Sequence, residues 1–118
     1  MSKVILIVED DGLIAMINKK IVERLGFTVC HTTATGAGAI EAFKVHNPDI
    51  ILMDIMLEDN ISGIDAMLEI RKLSSNPVIF ISANSDKLNF DKATSIANSS
   101  FISKPVVQQI LKEKLESL

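Results

Sequence analysis

The chain has 118 residues, about the length of one globular domain, and its 47% hydrophobic and 23% charged composition excludes a disordered segment. Lys plus Arg number 12 against 15 Asp plus Glu, a net charge of −3, so the basic excess of a nucleic-acid surface is missing. A single cysteine, Cys30, excludes an internal disulfide or a cysteine-rich zinc site. No apolar run approaches the ~20 residues of a membrane span, and Met1-Ser2-Lys3 followed by Val4 to Val8 is too short for a signal peptide. The expectation is one soluble, cytoplasmic domain over residues 1–118, with no output domain in the chain and no direct nucleic-acid or membrane partner.

Val4–Val8 is almost wholly apolar, which suits a strand buried on both faces, since a half-exposed strand would alternate. Ile14, Ile17, Ile21 and Leu25 then share one helical face, and Gly26 supplies a left-handed C-terminal cap. Phe27–Cys30 is a weaker strand. A second helix runs from about Thr35 through Ile40 and Phe43 until Asn47-Pro48 ends it. Ile50–Met53 is the third strand, again fully apolar. Ser62-x-x-Asp65 reads as a capping box ahead of Ile64, Met67 and Leu68 in a third helix. After the apolar strand Val78–Ile81, a fourth helix over about Asp86 to Ala97 has a poor stripe, Leu88, Phe90 and Ala93, and is marginal. Phe101–Ile102 is a weak fifth strand. The fifth helix carries Val107, Ile110, Leu111, Lys114, Leu115 and Leu118 after Pro105, a residue suited to a first turn.

Strands and helices in strict alternation predict right-handed crossovers and a parallel sheet covered on both faces. With the very apolar first and third strands central, this is a flavodoxin-like (βα)5 doubly wound α/β fold, strand order 2-1-3-4-5.

In such a sheet ligands bind beyond the carboxyl ends of the strands. Here the first strand ends in Glu9-Asp10-Asp11, the third in Asp54, the fourth in Ser82 and the fifth in Lys104-Pro105. Glu9, Asp10 and Asp54 should therefore converge at one mouth. Two carboxylates about 4 Å apart repel by roughly 4 kcal/mol at an effective dielectric near 20. A cation explains why they are there, and oxygen ligands without His or Cys point to Mg²⁺, with Mn²⁺ as the substitute. Lys104 and Ser82 can both bind phosphate oxygens. The set suits a phosphoryl group received by a carboxylate, an established covalent chemistry. Asp54, alone after its strand, is the better nucleophile, whereas Glu9 and Asp10 suit metal capture. Asp11 and Asp59 read as turn residues or helix caps. His31 and His46 read as separate surface or helix-end histidines.

Other readings fit less well. Gly36-x-Gly38 lacks the third glycine of a dinucleotide loop, since residue 41 is Glu41, and no P-loop lysine motif is present. A haloacid-dehalogenase-type phosphatase would need a second acid where Met56 stands. A flavodoxin-type carrier would want a Ser/Thr/Gly-rich loop in place of Glu9-Asp10-Asp11, and the chain has no Trp or Tyr to stack on a flavin.

Taken in order, ILIVEDD at 5–11, DIILMDIML at 49–57, SGIDA at 62–66, VIFISA at 78–83 and FISKP at 101–105 make the chain resemble the receiver domain of two-component response regulators, from Lys3 to about Leu118. The resemblance implies that Asp54 is the phosphoacceptor and that Glu9 and Asp10 are the acidic metal-binding pair. It implies the backbone carbonyl of Met56 as the third protein ligand of Mg²⁺. Ser82 takes the place of the switch hydroxyl, Lys104 of the family's lysine, and Phe101 of the switch aromatic. Phosphoryl transfer would come from a phosphohistidine on a histidine kinase or histidine phosphotransfer domain, or from a small phosphodonor. The role is regulatory rather than enzymatic, beyond assisting its own phosphotransfer and slow self-dephosphorylation. The response would appear on the face formed by the fourth helix, fifth strand and fifth helix, which could also pair two copies of the chain.

Four features depart from the family's usual pattern. Phe101 lacks the hydroxyl of the commoner Tyr. The loop Glu58-Asp59-Asn60 has no proline and is one residue longer than the commonest form. Asn98 stands where many receivers have Gly. Met56 is apolar where a side chain often orients the attacking water, and Asn84 could do so only partly, so slow self-dephosphorylation is expected. The alternative is a receiver-like interaction module that works without phosphorylation, against which the intact acids, hydroxyl and lysine argue.

Overall fold

Strands whose side chains are apolar on both faces can be stable only between two layers of helix, and the chain arranges them so. The computed structural model describes residues 3–57, 59–82 and 87–118, with side chains for all of these except 87–90. In chain order the elements are β1 Val4–Val8, α1 Gly12–Arg24, β2 Thr28–Thr33, α2 Gly36–His46, β3 Ile50–Asp54, α3 Gly63–Arg71, β4 Val78–Ser82, α4 Lys87–Thr94, β5 Ser99–Ser103 and α5 Gln108–Glu116. All strand pairs are parallel, in the expected order β2-β1-β3-β4-β5. Among the described residues, no helix is long and apolar enough to cross a membrane.

Alternate side chains of each strand serve alternate layers. Leu6, Val8, Ile51, Met53 and Phe80 pack with Phe43 of α2 and with Met67 and Ile70 of α3. Ile5, Ile7, Leu52, Ile79 and Ile81 pack on the other side with Val22 of α1 and with Leu111 and Leu115 of α5.

The helix punctuation follows the sequence closely. Asp11 caps α1, accepting from the amides of Leu13 and Ile14 at 2.9 and 3.1 Å. Thr35 caps α2 through Gly38 N at 2.9 Å, and Ser62 caps α3 through Asp65 N at 3.1 Å. Gly26, Asn47 and Asn98 have φ of 96, 44 and 55°, left-handed positions that glycine and asparagine tolerate.

Several expectations need correction. The stripe of α1 that faces the sheet is Ala15, Asn18 and Val22, with Ile21 and Leu25 at its flank. Ile17 is 47% exposed, and it lines with Ile14 a cavity of about 400 Å³ beside Pro105 and Val106. The stripes 14/17/21/25 and 15/18/22/25 both have helical spacing, and close approach to the sheet selects the one with the smaller side chains at 15 and 18. In α3, Leu68 is exposed, and Ala66 and Ile70 are buried instead. In α5, Val107 and Ile110 are exposed, and the helix starts at Gln108, so Pro105 lies before its first turn, joined to Lys104 by a cis peptide. For α4, the expected start at Asp86 and the side chains of Leu88 and Phe90 lie outside the described residues, whereas Ala93 is buried as expected.

Strand β2 runs on to Thr33, because Leu6, Ile7 and Val8 continue its pairing past Cys30. The register shifts between Ile5 and Leu6, leaving Cys30 as a bulged residue whose thiol donates to the Ile5 carbonyl at 3.6 Å. A bulge resets the alternation of side chains. His31 thereby reaches His46 at the end of α2, and the rings stack at 5.3 Å and 20°, so the two histidines are not separate.

At the end of the sheet away from the strand carboxyl termini, Arg71 binds three backbone carbonyls. Its guanidinium donates to Ala97 O at 2.6 and 3.1 Å, to Asn76 O at 2.8 Å and to Ser74 O at 3.2 Å. This ties the end of α3 to the segment joining α4 and β5. Arg71→Ala should lower the unfolding free energy by about 2 kcal/mol, the scale for hydrogen bonds from a charged donor. Urea unfolding should show a lower midpoint at unchanged slope, and an unchanged midpoint would mean that water replaces these bonds at no cost.

Candidate functional site

Four strand ends deliver the polar residues to one place. Glu9 follows β1, and its amide donates to Thr33 O at 2.9 Å, prolonging the ladder to β2 by one bond. Asp54 is the last residue of β3, paired with Ile81 of β4. Ser82 ends β4, and its carbonyl accepts from Lys104 N at 2.8 Å, which carries the β4–β5 pairing as far as the lysine. Glu9, Asp54 and Ser82 are buried, at 4, 3 and 1% exposure, although each is polar.

The acids converge as expected. Carboxylate oxygens of Glu9, Asp10 and Asp54 lie within 4.8 Å of one another. Lys104 Nζ lies 2.9 Å from Asp54 Oδ2 and 3.2 Å from Glu9 Oε1. The first contact is a hydrogen bond. The second is an ion pair by distance without hydrogen-bond geometry, so Glu9 Oε1 is buried with no hydrogen-bond partner among the described residues. Asp54 Oδ1 accepts from the Met56 amide at 3.1 Å, and Glu9 Oε2 accepts from the Asp10 amide at 3.1 Å.

Burial, and then the neighbouring Asp54, push the Glu9 carboxyl from 4.5 up to about 8, with Lys104 opposing the shift. Burial disfavours the Lys104 ammonium, but the hydrogen bond and charge of Asp54, joined by the charge of Glu9, outweigh it and raise its pKa. A buried carboxylate oxygen without a donor, crowded by two other acids, is what a bound cation would satisfy. The all-oxygen donor set fits a hard ion such as Mg²⁺. A cavity of about 360 Å³ opens beside Glu9 and Asp10 toward Met16, Lys19, Thr32 and Thr33.

The remaining expected residues take these positions. The Met56 side chain is 64% exposed just past Asp54. Phe101 lies opposite Phe80 on β5 and packs, half-buried, against the core on the α2–α3 side. Asn84 and Glu58 lie outside the described residues. Asp59 is a cap, but of α2 rather than of its own helix: its carboxylate accepts from Gly36 N and Ala37 N. Spacing could not reveal that role, since 22 and 23 residues separate the partners. Gly63 is the other position that sequence reading missed. A Cβ there would collide with the Asp54 carbonyl oxygen, so only glycine lets α3 start against the end of β3.

The profile of the response regulator receiver domain matches residues 5–116. The chain is 35% identical over 106 residues to the chemotaxis protein CheY of Thermotoga maritima, covering 89% of this chain and 88% of that protein. It is 30% identical over 114 residues to the transcriptional regulatory protein CseB of Streptomyces avermitilis, covering 97% of this chain and 48% of CseB, about half of that longer protein. The solution structure of the receiver domain of PhyR from Erythrobacter litoralis superposes with a TM-score of 0.86 at 33% identity, over 98% of this chain and 88% of that one. A chemotaxis protein of Vibrio cholerae superposes at 0.88 with 18% identity over 99% of this chain and 98% of that one, a likeness of fold alone.

The Glu9 shift has a consequence for stability. Its folded pKa is raised, so in metal-free protein the folded state binds the proton more tightly than the unfolded state from 4.5 to about 8. That contribution is complete below the unfolded value and is lost as pH rises through the folded one. In EDTA, thermal stability of wild type relative to Glu9→Gln should fall between about pH 5 and about pH 9. Added Mg²⁺ should oppose the fall, because the ion favours the ionised acid. A difference that stays flat across this range would refute the shift.

Proposed function

The chain belongs to the response regulator receiver family, the regulatory domain of two-component systems, and we propose that it is a phosphorylation-activated switch with Asp54 as acceptor. The observation that carries this reading is the buried Asp54 carboxylate, 2.9 Å from an ammonium and within 4.8 Å of two further acids at the mouth of a parallel sheet.

The phosphoryl donor is a phosphohistidine on a histidine kinase or histidine phosphotransfer domain. An Asp54 carboxylate oxygen attacks phosphorus in line, the new P–O bond forms as the P–N bond breaks, and the imidazole leaves with the electron pair. Glu9, Asp10, Asp54 and the Met56 carbonyl would hold Mg²⁺, which neutralises charge on the phosphoryl oxygens when bound. Lys104 needs little reorganisation, because Asp54 and Glu9 already aim its ammonium into the mouth. The Met56 amide, which donates to Asp54 Oδ1, helps to orient the nucleophile.

The product adds about −1.5 to −2 charge and three acceptor oxygens at the end of β3. Lys104 can turn from the carboxylates to one of these oxygens, and the Ser82 hydroxyl can donate to another. Drawing Ser82 toward Asp54 shifts the end of β4, which bears on Phe101 beside it and on α4, β5 and α5. The apolar stripe of α4 is poor in the sequence, so that helix can shift at little cost. The same face could pair two copies of the chain.

Incubation with acetyl phosphate and Mg²⁺ should add the mass of one phosphoryl group to wild type and nothing to Asp54→Asn. Wild type that stays unmodified would leave the rival reading, an interaction module that works without phosphorylation. The lifetime of the phosphoryl group provides a second test. A thioether cannot hold an attacking water, so Met56→Asn should speed dephosphorylation by roughly tenfold, below the 10²–10⁴ of a true general base because an amide only orients water. An unchanged rate would remove Met56 from the account.

A further inference from the structure

We propose that Asp59 is a positioning residue for the phosphoryl site, acting through the β3–α3 loop that it ties to α2; this rests on the reading of Asp54 and of the Met56 carbonyl given above. That loop contains no proline, so nothing covalent stiffens it, yet it would carry one ligand of the ion. Backbone contacts hold its start to β4 and draw its two ends together. Ile55 N donates to Ile81 O at 3.1 Å and Gly63 N to Ile55 O at 2.9 Å, while α3 begins against the Asp54 carbonyl. Among the described residues, the far side of the loop pairs with no strand.

Asp59 secures that far side with both carboxylate oxygens, Oδ1 accepting from Gly36 N at 2.9 Å and Oδ2 from Ala37 N at 3.1 Å. The two amides hold its carboxyl below the usual carboxylate range. They are free for this purpose because the helix's own cap, Thr35, takes the amide of Gly38. The backbone comes close as well: a Cβ on Gly36 would stand 2.6 Å from the Ile61 carbonyl oxygen and from Ile61 Cγ2. Asp59 and Ile61 therefore lie directly on the first turn of α2, joined by two hydrogen bonds and one tight glycine contact.

The consequence reaches the ion through the Met56 carbonyl. Of the four proposed ligands, Glu9, Asp10 and Asp54 sit at or next to strand ends, and the carbonyl alone belongs to the loop. Releasing Asp59 frees the loop without touching those acids, so it should loosen one ligand and leave the rest. Groups that orient a ligand without contacting the metal commonly matter for affinity.

The experiment is a Mg²⁺ titration of the full chain, followed by backbone amide shifts of Asp10, Asp54 and Met56, with urea unfolding run alongside on each variant. Asp59→Ala should bind Mg²⁺ about tenfold more weakly than wild type. Asp59→Asn, which keeps one acceptor oxygen, should fall between. Thr35→Ala removes a cap from the same helix without freeing the loop, so it should lose stability and keep wild-type Mg²⁺ affinity. Wild-type affinity in Asp59→Ala, or an equal loss in Thr35→Ala, would show that Asp59 only caps α2 and would overturn this inference alone. No Mg²⁺ uptake by wild type would overturn the phosphoryl-site reading, and this inference with it.

Discussion

The contact of Lys104 with Asp54 and Glu9 is the interaction around which the polar end of the molecule is built. Among the described residues of the cluster, one ammonium faces three acids, two of them almost completely buried. A buried set of charges of this kind is stable only if something closes the imbalance. Burial and the neighbouring Asp54 accordingly raise the Glu9 pKa, favouring a proton there. A divalent ion held by Glu9, Asp10 and Asp54 would do the same with greater charge.

Such a cluster has to be imposed by a scaffold that does not yield. Strands β3 and β4 are buried along their whole length, and four of the five residues of β1 are buried. Their ends are thus fixed in three dimensions by apolar packing on both sides, and the acids inherit that precision. The rest of the site hangs on contacts of a different type. Gly63 lets α3 start directly on the Asp54 carbonyl, and Asp59 fastens the intervening loop to α2. Rigid strand ends thus fix the charges, and a separately fastened loop lies beside them.

Much of this was legible from the residues. Continuous apolar runs gave β1, β3 and β4, because no half-exposed strand can be apolar throughout. Asp11, Ser62 and Gly26 marked their caps, and Asn47 the end of its helix, since each acts within a few residues of itself. Glu9, Asp10, Asp54, Ser82 and Lys104 could be grouped because a parallel sheet brings all its carboxyl ends to one side. Less was legible where two patterns overlap. On α1 the more apolar stripe, with Ile14 and Ile17, gave way to the stripe with Ala15 and Asn18, since the distance between helix and sheet was set by what fits.

The amino-acid sequence determined the order and type of the elements and which chemical groups stand at the strand ends, because hydrophobic period and strand-end position are local properties. Only the tertiary structure decided that His31 meets His46, that Glu9 Oε1 has no hydrogen-bond donor among the described residues, and that Asp59 finds the amides of Gly36 and Ala37. Each of these depends on a bulge, a depth of burial or a meeting of distant surfaces. No spacing along the chain encodes them, because they arise from how whole layers pack.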